Sequence, residues 1–329
     1  MIRRSALLAA ASLLAFSVAA QAQEDFQPAL IFDMGGKFDK SFNEAAYNGA
    51  EKFKAETGIG YLEFEVTNES QRDQALERMA RRADIVVVVG FAFGTSLETL
   101  SERYPDAKFT IIDASVDKPN VQSILFKEHE GSYLVGMAAA LKSQTGKIGF
   151  VGGMDIPLIH NFEYGYEQGA KAANPDIKLT SNYVGTTPAA WSDSTRAKEL
   201  AFSHYDSGAD VVYAAAGAAG LGVLEASKDK DEFSIGVDSN QNHLYPGHVL
   251  TSMLKRVDVA VYEAFKAAQD NSWQPGMLNL GLKEDGVDYA LDENNREVLT
   301  PEIVAKLDEA KAKIIAGEIE VQDYYSTQQ

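Results

Sequence analysis

Two stretches of the chain, Ala29–Phe53 and Lys147–Ala173, read as two versions of one strand–loop–helix unit set 120 residues apart. Ile31 aligns with Val151, Phe42 with Phe162, and Gly49-Ala50 with Gly169-Ala170. The echo continues downstream. Asp84–Gly94 is mirrored by Asp210–Gly220, Ile111-Ile112-Asp113 by Gly236-Val237-Asp238, and Ser123–Lys127 by Thr251–Lys255. Matches in the same order argue for a chain built from two similar lobes. Two lobes imply a cleft, and a cleft between α/β lobes is the default place for a small ligand.

The first 22 residues read as a secretory signal peptide. Arg3 and Arg4 precede the mostly apolar Ala6–Ala20, and Ala20-Gln21-Ala22 supplies a small-x-small cleavage signature. The apolar run is too short for a permanent membrane span. Cleavage after Ala22 leaves 307 of the 329 residues, enough for about two domains with their own cores. The remaining chain carries 28 basic residues against 48 acidic ones, a net charge of −20. So acidic a surface repels nucleic acid and anionic lipid, which need clustered Lys and Arg. No cysteine occurs, which rules out disulfides, thiolate metal sites and a lipid-bearing cysteine. The expectation is a periplasmic protein released without a lipid anchor.

Strand and helix patterns alternate along both halves. Ala29–Met34 is an apolar run entering a Gly35-Gly36 loop, and Ser41 with Glu44 predicts a capping box for the helix that follows. Ile85–Val89 is β-branched throughout, as a parallel strand covered on both faces should be. The second half repeats the order, with helices predicted over Gly131–Lys142 and Phe162–Asn174. Alternating βα units build parallel sheets with right-handed crossovers. The fold class is therefore α/β, with two doubly wound parallel-sheet lobes. The expected division is a first lobe over 23–128, joined by 256–285 crossing back, and a second over 129–255 with 286–329. Gly286–Leu291 reads as an edge strand. No Pro- or Ser-rich tether separates the halves, so several crossing segments should form the hinge.

Ligands in open α/β sheets collect at the carboxyl ends of strands, near helix N-termini. That rule selects Asp33 and the loop Gly35–Asn43, then Gly90–Gly94 and Asp113. In the second half it selects Gly152–Phe162, Gly217–Gly220, Asp238 and Lys255. Other roles remain open for these residues on pattern alone. Phe42 suits a hydrophobic staple, Asp113 and Asp238 suit turn caps, and Lys255 suits a snorkelling lysine. Trp191 suits an exposed loop aromatic, and Tyr164, Tyr166 and Phe93 read as packing.

The segment Asp33-Met-Gly-Gly-Lys-Phe-Asp-Lys-Ser-Phe-Asn-Glu-Ala-Ala-Tyr-Asn-Gly-Ala50 resembles the opening signature of the basic membrane protein family. Gly149–Met154, Phe162–Ala170, Ile235–Asp238 and Thr251–Lys255 extend the resemblance over the chain beyond the leader. That family comprises solute-binding components of ABC importers and includes purine nucleoside receptors. The resemblance implies the type I periplasmic binding protein fold and a monomer that meets the importer's permease subunits, with no cofactor or metal. It implies a base held between two rings: Phe42 matches the first stacking position, and Trp191, in Pro188–Asp193, matches the second, where phenylalanine is common. Asn43 and Asp113 match positions that read the base edge. Asp238 and Lys255 match those that hold the ribose hydroxyls, with backbone near Gly217 approaching closely. Riboflavin, taken by a relative, is an alternative ligand, and a sensor docking on a membrane receptor would use the same fold.

Catalysis finds little support in the residues. None of the histidines, His129, His160, His204, His243 and His248, stands in a metal-binding spacing. His243 and His248 are expected to face solvent. No Gly-x-Ser-x-Gly elbow occurs, and Gly217–Gly222 lacks the dinucleotide-binding spacing. A nucleoside-cleaving enzyme would need a placed acid, base or metal.

Overall fold

The structure is a computed structural model that describes residues 26–328; the expected signal peptide lies outside the described residues. The first lobe is built from β1 (Pro28–Phe32), α1 (Phe42–Thr57), β2 (Leu62–Glu65), α2 (Arg72–Ala80), β3 (Ile85–Val89), α3 (Gly94–Arg103), β4 (Lys108–Ile112) and β5 (Val121–Phe126). The second begins with α4 (Glu128–Lys142), β6 (Lys147–Met154), α5 (Pro157–Ala173) and β7 (Lys178–Gly185). It continues with α6 (Ser194–Asp206), β8 (Val211–Ala215), α7 (Gly220–Lys230), β9 (Phe233–Asp238) and β10 (Val249–Lys255). The chain then adds α8 (Val257–Gln269), β11 (Gly276–Leu280), β12 (Val287–Tyr289) and α9 (Pro301–Ile315).

The sheets run β2-β1-β3-β4-β5-β11 and β7-β6-β8-β9-β10-β12. Five strands of each thus share one doubly wound order, as the repeats require. The added edge strands differ: β11 lies parallel to β5, and β12 antiparallel to β10. β1 and β3 are buried along their whole length, which is why their patterns are continuous apolar runs.

The chain passes between the sheets three times, after β5, after β10 and between β11 and β12. Backbone bonds tie these crossings together: Lys127 N–H donates to Leu280 O at 2.9 Å, and Arg256 N–H to Gly286 O at 2.8 Å. The repeated Gly-Ala pair has a packing cause. A Cβ on Gly49 would sit 2.1 Å from Asp258 O of α8, and one on Gly169 would sit 1.9 Å from Tyr133 O of α4. In each lobe a glycine therefore lets two helices meet backbone to backbone.

Some local expectations fail. Ser41 does not cap α1 with its side chain. Asp39 does so instead, accepting from the N–H groups of Ser41, Asn43 and Glu44 at 2.8, 2.9 and 3.0 Å. Glu44 accepts from Lys40 N–H at 3.1 Å. The left-handed Lys40, φ 60°, turns the chain so that the earlier carboxylate faces the helix start. α4 begins at Glu128 rather than Gly131, and α5 at Pro157 rather than Phe162, with proline at the favoured first turn. His243 is exposed, whereas His248 is half-buried beside Glu232 O at 3.3 Å. Tyr166 and Phe93 are core residues.

Candidate functional site

The strand ends of the two sheets face one another across a cleft with about 650 Å³ of unfilled space, part of it open to solvent. Asp33, Phe42, Asn43 and Asp113 line it from the first lobe; Trp191, Gly217, Asp238 and Lys255 line it from the second. All eight positions selected from the sequence therefore meet in one place. The two aspartates that end β4 and β9 share a left-handed backbone, with φ 70° at Asp113 and 63° at Asp238. Aspartate tolerates this conformation better than most residues, and it turns both carboxylates into the same gap.

Phe42 opens α1, and Trp191 ends a single 3₁₀ turn, Pro188–Trp191, after β7. Both are half-buried and both line the cleft. The indole rests on bare backbone: a Cβ on Gly153 would lie 2.3 Å from its Cζ3 and 2.5 Å from its Cε3. Glycine at 153 is thus what makes room for the larger ring. Gly153→Ala is expected to push the indole into the cleft, shift tryptophan emission and weaken ligand binding about tenfold. Unchanged emission and affinity would show that the indole does not depend on this seat.

Phe162, on α5, also lines the cleft; the strand-end rule reached it as the last residue of Gly152–Phe162, but no site role was assigned to it. Its signal was the alignment with Phe42. The Lys255 ammonium sits among three rings, 5.2 Å from the Phe42 centroid, 5.1 Å from Phe126 and 5.4 Å from Phe162. These are cation–π distances.

Lys255 Nζ donates to Asp113 Oδ2 at 2.7 Å, across the lobes, and to Glu128 Oε1 at 2.9 Å. Asn43 spends its amide N–H groups on Asp33 O and Gly36 O at 3.3 and 3.2 Å. Two carbonyls fix that orientation, because the flipped amide would turn its own oxygen toward them. Asn43 Oδ1 and Asp113 Oδ1 are then buried acceptors without partners. Asp33 is held by Arg72, whose Nη2 and Nε lie 3.1 and 3.3 Å from Oδ1. Ser41 Oγ donates to Asp238 Oδ2, Ser239 Oγ to Ser41 O at 2.9 Å, and Gln241 Nε2 to Lys40 O at 3.0 Å. These bonds close the lobes upon each other. Arg72 and Glu128 carry no motif and were missed, whereas Asp39 lay in the selected loop Gly35–Asn43 without a role of its own.

Burial dominates the titration of the cleft carboxylates. It pushes Asp238 up to about 7 and Asp113 up to about 6, with Lys255 pulling against it in both. Asp39 rises to about 6 by burial, although three backbone N–H groups oppose the shift. Burial would lower Lys255, but the charges of Asp113, Glu128 and Asp238 outweigh it and hold the ammonium protonated.

Two like-folded α/β lobes closing on a cleft of aromatic plates and unpartnered acceptors define a solute-binding protein of the type I periplasmic binding fold. Residues 26–324 match the family of ABC transporter substrate-binding proteins described as PnrA-like, or Bmp. The chain belongs to that family. It is 39% identical over 280 residues to an uncharacterized lipoprotein of Pyrococcus horikoshii, covering 79% of this chain and 68% of the relative. With basic membrane protein D of Borreliella burgdorferi it shares 36% identity over 273 residues, 80% of this chain and 79% of that one. A solute-binding protein of an ABC transporter system from Aeropyrum pernix superimposes with a TM-score of 0.81 at 31% identity, covering 90% and 92% of the two chains. The chain is thus a binding protein and not an enzyme. Among the described residues no helix is long and apolar enough to cross a membrane.

Proposed function

We propose that the cleft takes a purine nucleoside and hands it to the permease of an ABC importer. The observation that carries this reading is the convergence of Phe42 and Trp191 on one cavity with the acceptors Asn43, Asp113 and Asp238 and the donor Lys255. A flat base suits the rings, and stacking contributes about 1–3 kcal/mol per base. Asn43 Oδ1 and Asp113 Oδ1 need donors, which the edge of a purine supplies. Asp238 and Lys255 suit the ribose hydroxyls.

The closed arrangement supports a hinge mechanism, with motion at the three crossings. A ligand that touches both lobes binds the closed form better and shifts the population toward it. We read the protein as acting in the periplasm as a monomer, without a lipid anchor, since lipidation at the mature start needs a cysteine.

Calorimetric titration of inosine from about pH 5.5 to about pH 8 tests the site. Asp238 must be ionised to accept two hydroxyls, so affinity should rise about tenfold across that window, with proton release on binding. Stability of the ligand-free protein runs the other way. Carboxylates raised from 3.8 in the fold stabilise it below that value, and the contribution is lost as pH rises through about 6 to about 7. Inosine 5′-monophosphate should bind at least about 100-fold more weakly, because its phosphate would be buried in a cleft whose one lining cation among the described residues, Lys255, is already paired with Asp113 and Glu128. Equal affinity for nucleoside and nucleotide would contradict this reading.

A further inference from the structure

Glu128 is 2% exposed and does not line the cleft. It is the first residue of α4, immediately after the first crossing between the sheets. Its Oε1 accepts from Lys255 at 2.9 Å, and its Oε2 accepts from Asn161 Nδ2, also at 2.9 Å. Asn161 is itself fixed, because its Oδ1 accepts from the N–H of Tyr324 at 3.0 Å. The carboxylate is therefore clamped from behind.

Asp113 shows the consequence. One of its oxygens takes Lys255, and the other is buried without a partner. An ammonium has three N–H groups to place, and a lysine beside a lone carboxylate has every reason to engage both oxygens. We propose that Glu128 is a positioning residue for ligand binding: by taking one N–H of Lys255 it keeps the ammonium off the second oxygen of Asp113, which stays open to a ligand donor. Without Glu128 the ammonium swings toward Asp113 and Asp238 and fills the acceptors that the ligand needs.

The groups facing Asp113 are Lys255 on β10, Glu128 on α4, Asp238 on β9 and the phenol of Tyr325 near the carboxyl end. Burial raises Asp113, Lys255 lowers it, and the charge of Glu128 raises it again. Removing that charge and drawing Lys255 closer both move the titration of Asp113 down.

The inference rests on the nucleoside reading, so its test has one arm that needs no ligand. Wild type, Glu128→Gln and Glu128→Asp are compared, with thermal melts to confirm folding. Carbon-detected NMR of the ligand-free proteins follows the Asp113 carboxyl through pH. In Glu128→Gln the midpoint should fall, whereas Glu128→Asp, which keeps the charge, should stay near wild type. Adenosine and inosine titrations should then show about tenfold weaker binding for Glu128→Gln, with the acid limb of its affinity profile moved to lower pH. An unmoved Asp113 midpoint in Glu128→Gln overturns the inference, as does wild-type affinity in that variant. Failure of wild type to bind either nucleoside overturns the nucleoside reading instead, and the NMR arm still tests whether Glu128 governs the charge state of Asp113.

Discussion

Lys255→Met is expected to lower the unfolding free energy by about 3–5 kcal/mol near pH 8, because it strands two buried carboxylates. Lys255 is 2% exposed and holds Asp113 and Glu128 at 2.7 and 2.9 Å. Methionine fills nearly the same volume and packs well against aromatic rings, so the loss comes from charge and not from a cavity. The sign of the pH dependence follows. Without the ammonium nothing opposes the burial that already raises Asp113, so the variant regains stability as pH falls and that carboxyl protonates. Adding Asp113→Asn and Glu128→Gln should restore most of the loss, since a buried ionic cluster replaced as a unit costs little. Urea midpoints at about pH 8 and about pH 5 check this. A variant as stable as wild type at the higher pH would mean that the network is far more hydrated than its burial implies.

The second large effect concerns binding. Phe42→Ala and Trp191→Ala should each weaken nucleoside binding by about 1–3 kcal/mol, roughly 5- to 150-fold, through lost stacking. Trp191→Ala should also lower the unfolding midpoint, because the ring lies on the glycine backbone of position 153 and packs against the main core. Phe42 packs against the main core as well, so its loss should likewise show in both measurements. Calorimetry on the single and double variants separates the contributions. Near-additive losses would fit two plates on opposite faces of one base. A double variant no weaker than either single would mean that only one ring touches the ligand at a time.

The repeats exposed the architecture because two lobes under the same packing constraint need the same residues at the same places. Gly49 and Gly169 are paired in sequence because each must admit a helix backbone, and Asp113 and Asp238 because each ends a strand with a left-handed turn. The strand-end rule placed the cleft for the same reason: it follows from chain direction in parallel sheets, which periodicity reveals. What escaped depends on partners distant in sequence. β11 is exposed over most of its length and shows no alternation, since it is held by its pairing with β5. The early start of α4 reflects Glu128 reaching Lys255, a residue 127 positions away. Asp39 replaced Ser41 as the cap because of the strained backbone at Lys40, which no spacing rule reports. Phe162 stood in view as the counterpart of Phe42, yet a helical aromatic reads as core until the opposite lobe is in place.

A single experiment bears most directly on a heterocycle held between Phe42 and Trp191. The protein is melted with a panel of purine nucleosides, free purines, flavins and free sugars, since a ligand that binds only the folded state raises the midpoint by mass action. The account predicts upward shifts for adenosine, inosine or guanosine, abolished by Asp238→Ala with Trp191→Ala, and none for ribose alone. A shift with sugars and none with any nucleoside would contradict it.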